Sequence, residues 1–220
     1  YNGALAIVLD TSAKAMISLS PVKVTEEALD EAADNVIAEI IRDNMTFEEK
    51  TLKSKVIYDG RILRLNCDDV ITSKGIKTKR EVVHHNGGVC VLAMLDGKIP
   101  MVKQFRYSYG EEMFELPAGK LEKGEDSYTA GLRELEEEVG LKANKLTSLG
   151  CMYPSCGYTN EIIYLYKAEN VTKTQIHLDP DEDLDVYYFT LEEISNKILK
   201  NEIRDAKTIC LIFKYKESIT

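Results

Sequence analysis

Between Gly119 and Leu141 the chain reads GKLEKGEDSYTAGLRELEEEVGL, a short amphipathic stretch crowded with glutamates and bracketed by glycines. Tyr128, Leu132, Leu135 and Val139 recur there at helical intervals and form one stripe that can face a core. Asp126 stands where an N-cap belongs and Gly140 where a left-handed C-terminal cap belongs. The spacing therefore predicts a helix running from Asp126 to Val139.

Glu134, Glu137 and Glu138 are related by i, i+3 and i+4, so they crowd one side of that helix, which the spacing puts roughly opposite the apolar stripe. Like charges so arranged repel one another unless a cation lies among them. Carboxylate oxygens suit a hard divalent ion such as Mg²⁺ or Mn²⁺. Arg133 adjoins the cluster and can pair with Glu137 or Glu125. Alone, an ELEEE run reads as a solvated acidic face. The glycines, Arg133 and Glu125 at fixed offsets favour the metal site.

Those offsets satisfy G-x5-E-x7-R-E-U-x-E-E-x-G-U, with U a bulky aliphatic, through Gly119, Glu125, Arg133, Glu134, Leu135, Glu137, Glu138, Gly140 and Leu141. In this the chain resembles the Nudix hydrolases, which cleave a nucleoside diphosphate linked to another group. The resemblance implies Glu134, Glu138 and the Ala118 carbonyl as metal ligands. Glu137 is implied as a further ligand or a group just behind the ligands, with a catalytic part. Gly119, Glu125, Arg133 and Gly140 become structural members of the motif.

Residues outside the motif resemble the ADP-ribose pyrophosphatase branch. Glu115-Leu116-Pro117-Ala118-Gly119 gives an E-x-P-A-G lead-in, with Glu115 placed at the substrate. Gln104-Phe105-Arg106-Tyr107 ends a predicted strand, and the resemblance assigns Arg106 to the substrate diphosphate. Downstream, Ser155, Gly157 and Glu161 fit the branch, whereas Cys156 stands where proline is usual. That departure keeps NADH, nucleotide sugars and oxidised nucleotides open as alternative substrates. The acidic stretch from Leu178 to Asp185 resembles a mobile loop that supplies a catalytic base, and Glu182 aligns best with it. A non-catalytic, nucleotide-sensing module would be expected to show a damaged motif, and every motif carboxylate is present here.

The 220 residues, 44% hydrophobic, suffice for one core and a smaller domain. A net charge of −9 argues against a nucleic-acid partner. Cys67, Cys90, Cys151, Cys156 and Cys210 form no C-x-x-C pair, which points to reduced thiols and a cytoplasmic setting. His84, His85 and His177 show no metal spacing. No apolar run approaches the roughly 20 residues of a membrane helix, and the first residues do not read as a leader.

Three regions follow. Residues 1–44 read as an extension of unknown origin, with two short strands and a helix. Residues 45–86 read as a small antiparallel sheet, with strand segments at 55–58, 62–66, 70–71 and 76–83 and a hairpin turn at Thr72–Gly75. The resemblance makes this sheet a swapped homodimerisation element, in which Arg80 or Glu81 could line the partner's pocket. Residues 87–220 carry the hydrolase domain, with strands expected at 88–95, 100–107, 161–168 and 186–189. Thr190 opens a capping-box helix to about Lys200, and a last helix near 205–215 is expected to turn Ile209, Ile212 and Phe213 inward. The expected class is α/β: a mixed sheet with helices on its faces, the α/β/α sandwich of the Nudix fold. The expected reaction is Mg²⁺-dependent hydrolysis of ADP-ribose to AMP and ribose 5-phosphate. Phe105, Tyr153 and Tyr158 are candidate base-stacking residues.

Overall fold

A computed structural model gives the fold and describes residues 47–180 and 182–219. The strands and helix expected in residues 1–44 lie outside the described residues. By its internal contacts the chain divides into two units, 1–49 with 72–75, and 50–71 with 76–220. Within the described part of the first unit, Gly75 N–H donates to the Thr72 carbonyl at 2.9 Å, closing the anticipated turn. The strands and helices that follow belong to the second unit.

Strands β1 (Lys50–Asp59), β2 (Leu63–Ile71) and β3 (Lys77–His85) form an antiparallel sheet in that order. The two short segments expected at 62–66 and 70–71 are one continuous strand. Polar residues of its middle pair across the sheet: Ser54 Oγ donates to Asp68 at 2.5 Å and Lys79 to Asp69 at 2.7 Å. Strand β3 is tied to the segment before β9, since Val83 N–H donates to the Tyr158 carbonyl at 2.7 Å and His85 N–H to Asn160 Oδ1 at 3.0 Å.

The core is built around β4 (Gly88–Leu92), all of it buried. It runs parallel to β9 (Ile163–Lys173) and antiparallel to β7 (Ala118–Lys120), and β8 (Leu141–Met152) completes the order β7-β4-β9-β8. A second sheet, β10-β5-β6, comprises Leu184–Phe189, Ile99–Arg106 and Glu111–Glu115. Side chains alternate across β4. Val89 and Val91 face a cluster with Leu135 and Val139 of α1 (Ser127–Val139). Cys90 and Leu92 face the opposite cluster, with Ile194 of α2 (Leu191–Leu199) and Leu211, Ile212 and Tyr215 of α3 (Ala206–Ile219). Helices thus cover both faces of a mixed sheet, the layered arrangement anticipated.

The caps follow the sequence closely. Asp126 accepts from Tyr128 N–H at 2.9 Å, and Gly140 closes α1 at φ 61°. Thr190 and Glu193 form the reciprocal capping box of α2. The last helix departs in one respect: Phe213 is exposed, while Thr208, Leu211, Ile212 and Tyr215 face inward. Strands β6, β7 and β8 were not anticipated. Among the described residues no helix is long and apolar enough to cross a membrane.

Candidate active site

The buried face of α1 consists of Ala130, Gly131, Glu134, Leu135, Glu138 and Val139. The carboxylates therefore do not lie opposite the apolar stripe, as the spacing had been read. Glu134 and Glu138 each precede a core residue by one position and go under with it, shielded by the strand β7. Ala118 N–H donates to Glu138 Oε2 at 2.9 Å. Gly119 runs so close to Glu134 that a Cβ there would stand 1.7 Å from Oε1.

Arg133 organises the rest of the motif. Its Nε and Nη2 donate to the two oxygens of Glu125 at 3.1 and 3.2 Å. Its Nη1 donates to Glu134 Oε1 at 2.8 Å and to Glu137 Oε2 at 2.9 Å. Glu125 also accepts from Glu122 N–H at 2.9 Å, which closes the loop before α1. The sequence offered Arg133 a choice between Glu125 and Glu137; the structure joins it to both and to Glu134.

Burial pushes the Glu134 carboxyl up to about 7, with Glu137 and Glu182 adding to the shift and Arg133 opposing it. Burial pushes Glu138 up to about 8; the Ala118 N–H opposes the shift, and Glu134, Glu182 and Glu115 add to it. Exposed Glu182 caps its own turn, its carboxylate accepting from Asp179 N–H at 3.2 Å, and its charge is felt at both buried carboxylates.

Beside this pair, Arg106 grips Glu115 bidentately, Nε to Oε1 at 2.5 Å and Nη2 to Oε2 at 2.6 Å. Glu115 is almost wholly buried and also accepts from Lys207 Nζ. Burial alone would raise the Glu115 pKa, but the two cations together lower it. Burial likewise opposes the charge on Lys207, and Asp205 and Glu115 outweigh it, raising its pKa. Lys207 and Asp205 were missed in the sequence. The available signal was Asp205-Ala-Lys-Thr208, an N-cap pattern whose Asp205 accepts from Thr208 N–H at 3.0 Å. Arg80 is exposed on β3 and donates to the Lys79 carbonyl at 2.9 Å. Phe105, Tyr153 and Tyr158 are all exposed.

A divalent ion fits this donor set on three grounds. Glu134 and Glu138 are hard oxygen donors in a buried position, where positive charge would offset their desolvation. With the Glu134 carboxylate in place, the passage beside it leaves no room for a Cβ. The remaining motif carboxylates, Glu125 of the loop and Glu137 of α1, are held in place by Arg133. Among the described residues no three Asp, Glu, His or Cys side chains form a ready ligand cluster, and Glu137 turns to Arg133.

A family model described as the NUDIX domain matches residues 84–212. The chain belongs to the Nudix family. A second model, described as the nucleoside diphosphate sugar hydrolase N-terminal domain, matches residues 49–83. Among its relatives, an ADP-ribose pyrophosphatase of Bacillus subtilis is 44% identical, covering 74% of this chain and 90% of its own length. A methanol dehydrogenase activator of Bacillus methanolicus is 42% identical, covering 76% of this chain and 91% of its own length. An ADP-ribose pyrophosphatase of Mycobacterium tuberculosis is 35% identical, covering 70% and 76%. A crystal structure of an ADP compounds hydrolase superposes with a TM-score of 0.72 at 20% identity, covering 80% of this chain and 97% of the other, and supports the Nudix fold.

Proposed function

We propose that this Nudix protein hydrolyses the pyrophosphate of ADP-ribose, giving AMP and ribose 5-phosphate, with Mg²⁺ as its ion and Mn²⁺ as a substitute. The observation that carries the chemistry is the buried Glu134–Glu138 pair, two carboxylates in a place where water cannot fully solvate them. The substrate follows from the two relatives named ADP-ribose pyrophosphatase.

Glu134, Glu138 and the Ala118 carbonyl would hold the ion. The chemistry it supplies when bound is neutralisation of phosphate oxygens and acidification of the attacking water. Arg106, fixed by Glu115, presents its outward N–H groups to the diphosphate. Glu182 is the candidate base, carried on a turn close enough for its charge to act on Glu134 and Glu138. Glu137 is the second catalytic carboxylate, oriented by Arg133. Gly119, Glu125, Arg133 and Gly140 shape the loop and the helix. Arg80 on the small sheet is a candidate pocket residue contributed across a homodimer with swapped sheets. We place the protein in the cytoplasm, acting on a small nucleotide with no nucleic-acid or membrane partner. By domains, residues 45–86 form the dimerisation sheet and 87–220 the hydrolase, with 1–44 a preceding extension.

The test is a panel of kcat/KM values for ADP-ribose, NADH and GDP-mannose under Mg²⁺. ADP-ribose leading the panel is the expected result. Preference for another member would leave the metal site standing and reject the substrate assignment.

A further inference from the structure

We propose that Lys207 is a positioning residue of this site: acting through Glu115, it sets the orientation and the effective positive charge of Arg106, and so the affinity for the substrate diphosphate. The inference rests on Arg106 holding the diphosphate, as proposed above.

Lys207 lies in the first turn of α3, remote in sequence from the motif, and its side chain is only 14% exposed. Its ammonium donates to Glu115 Oε2 and to Asp205 Oδ1, the latter at 2.9 Å. Arg106 and Lys207 therefore share one buried carboxylate. If Glu115 faced Arg106 alone, the two would form a neutral closed pair with little attraction for an anion. The second cation on the same carboxylate divides the Glu115 charge between Arg106 and Lys207, so Glu115 does not neutralise Arg106 alone; with Asp205 ion-paired to Lys207 the four-group cluster is neutral overall. Asp205 holds Lys207 through one oxygen, and its other oxygen accepts from the Thr208 N–H and hydroxyl at 3.0 and 2.6 Å.

The geometry keeps part of the guanidinium available. Nε and one Nη2 hydrogen face Glu115, and the remaining donors of the planar fork point away from the carboxylate. Lys207 is itself held in register with this segment. The next residue after Glu115, Leu116, donates its N–H to Thr208 Oγ1 at 2.9 Å, so the start of α3 clamps two adjacent residues of the Glu115–Gly119 lead-in.

The test compares wild type, Lys207→Met, Lys207→Arg, Arg106→Ala and the Lys207→Met/Arg106→Ala double variant in steady-state hydrolysis of ADP-ribose under Mg²⁺. Lys207→Met is expected to raise KM roughly five- to tenfold with kcat within about twofold, and Lys207→Arg to recover most of the loss. In the Arg106→Ala background, Lys207→Met is expected to change KM by less than about twofold. A merely structural Lys207 would give the same KM rise in both backgrounds, and that result overturns the inference. So does an unchanged KM in Lys207→Met when Arg106→Ala alone raises it. An unchanged KM in Arg106→Ala instead rejects the diphosphate role of Arg106, and absence of wild-type turnover rejects ADP-ribose as substrate; either removes the basis for the inference. If Lys207→Met does not fold, Lys207→Gln, which keeps a donor but not the charge, takes its place under the same criteria.

Discussion

Gly119 and Glu134 occupy adjoining space with no room for a methyl group between them: a Cβ on Gly119 would stand 1.7 Å from Glu134 Oε1 and 1.9 Å from its Cδ. The loop entering the motif and the helix carrying its carboxylates are thus fitted to each other at one point. The atoms that would have to yield are the far end of a flexible side chain, not backbone.

Gly119→Ala should therefore spare the fold and displace the Glu134 carboxylate. Metal affinity and turnover should fall about 10- to 100-fold, the usual scale for disturbing a ligand's placement. Melting in EDTA should shift by only a few degrees. A collapse of the fold with metal binding intact in the folded fraction would contradict this. Isothermal titration with Mn²⁺ and a thermal melt give both readings.

Glu138→Gln replaces a carboxyl that burial pushes up to about 8, so at neutral pH the amide resembles the protonated form already favoured without metal. Stability in EDTA should be retained, while turnover falls by orders of magnitude because a ligand is lost. The stabilisation that Mg²⁺ gives the wild type should shrink in the variant. Near-normal turnover would remove Glu138 from the ligand set.

The raised carboxyls also set a pH dependence. Unfolded, Glu134 and Glu138 return to about 4.5; folded, they titrate near 7 and 8. Between those values the native state binds more protons, so the stability they contribute is full below 4.5 and is lost as pH rises through about 8. In EDTA the melting temperature should fall from pH 5.5 to 8.5, and saturating Mg²⁺ should flatten the decline. Metal binding near neutral pH should release protons, measurable as a buffer-dependent heat. A melting temperature that rises over this interval in EDTA would count against the burial of the pair.

Arg133→Met removes the shared partner of Glu125, Glu134 and Glu137. The arginine is about a third exposed, so water softens the loss, and a destabilisation of about 1–3 kcal/mol is expected. Turnover should drop more steeply than stability, because the carboxylates lose their orientation together. Urea titration alongside initial rates separates the two.

Much of the site could be read from the sequence because helix caps and fixed offsets are local. Asp126, Gly140 and the Thr190–Glu193 box act within a few residues of themselves, and each stands where the pattern put it. The facing of Glu134 and Glu138 could not be read this way. Helical spacing put them roughly opposite the apolar stripe, while the close approach of Ala118 and Gly119, a tertiary contact, decided burial. Strand β8 escaped because Lys142, Asn144 and Lys145 mask its apolar positions and the register shifts between Ser148 and Cys151. Strands β6 and β7 are short, and of their residues only Glu115 and Ala118–Lys120 fall in the lead-in and motif. The Lys207–Glu115 pair joins residues far apart in sequence, and nothing local marks either as the other's partner.

The most direct test of the central claim is chromatographic product analysis after incubation with ADP-ribose, in Mg²⁺ and in EDTA. Release of AMP and ribose 5-phosphate in Mg²⁺, abolished by EDTA, is the predicted result. Intact ADP-ribose in Mg²⁺, or equal release in EDTA, would contradict a carboxylate-held metal site acting on this pyrophosphate.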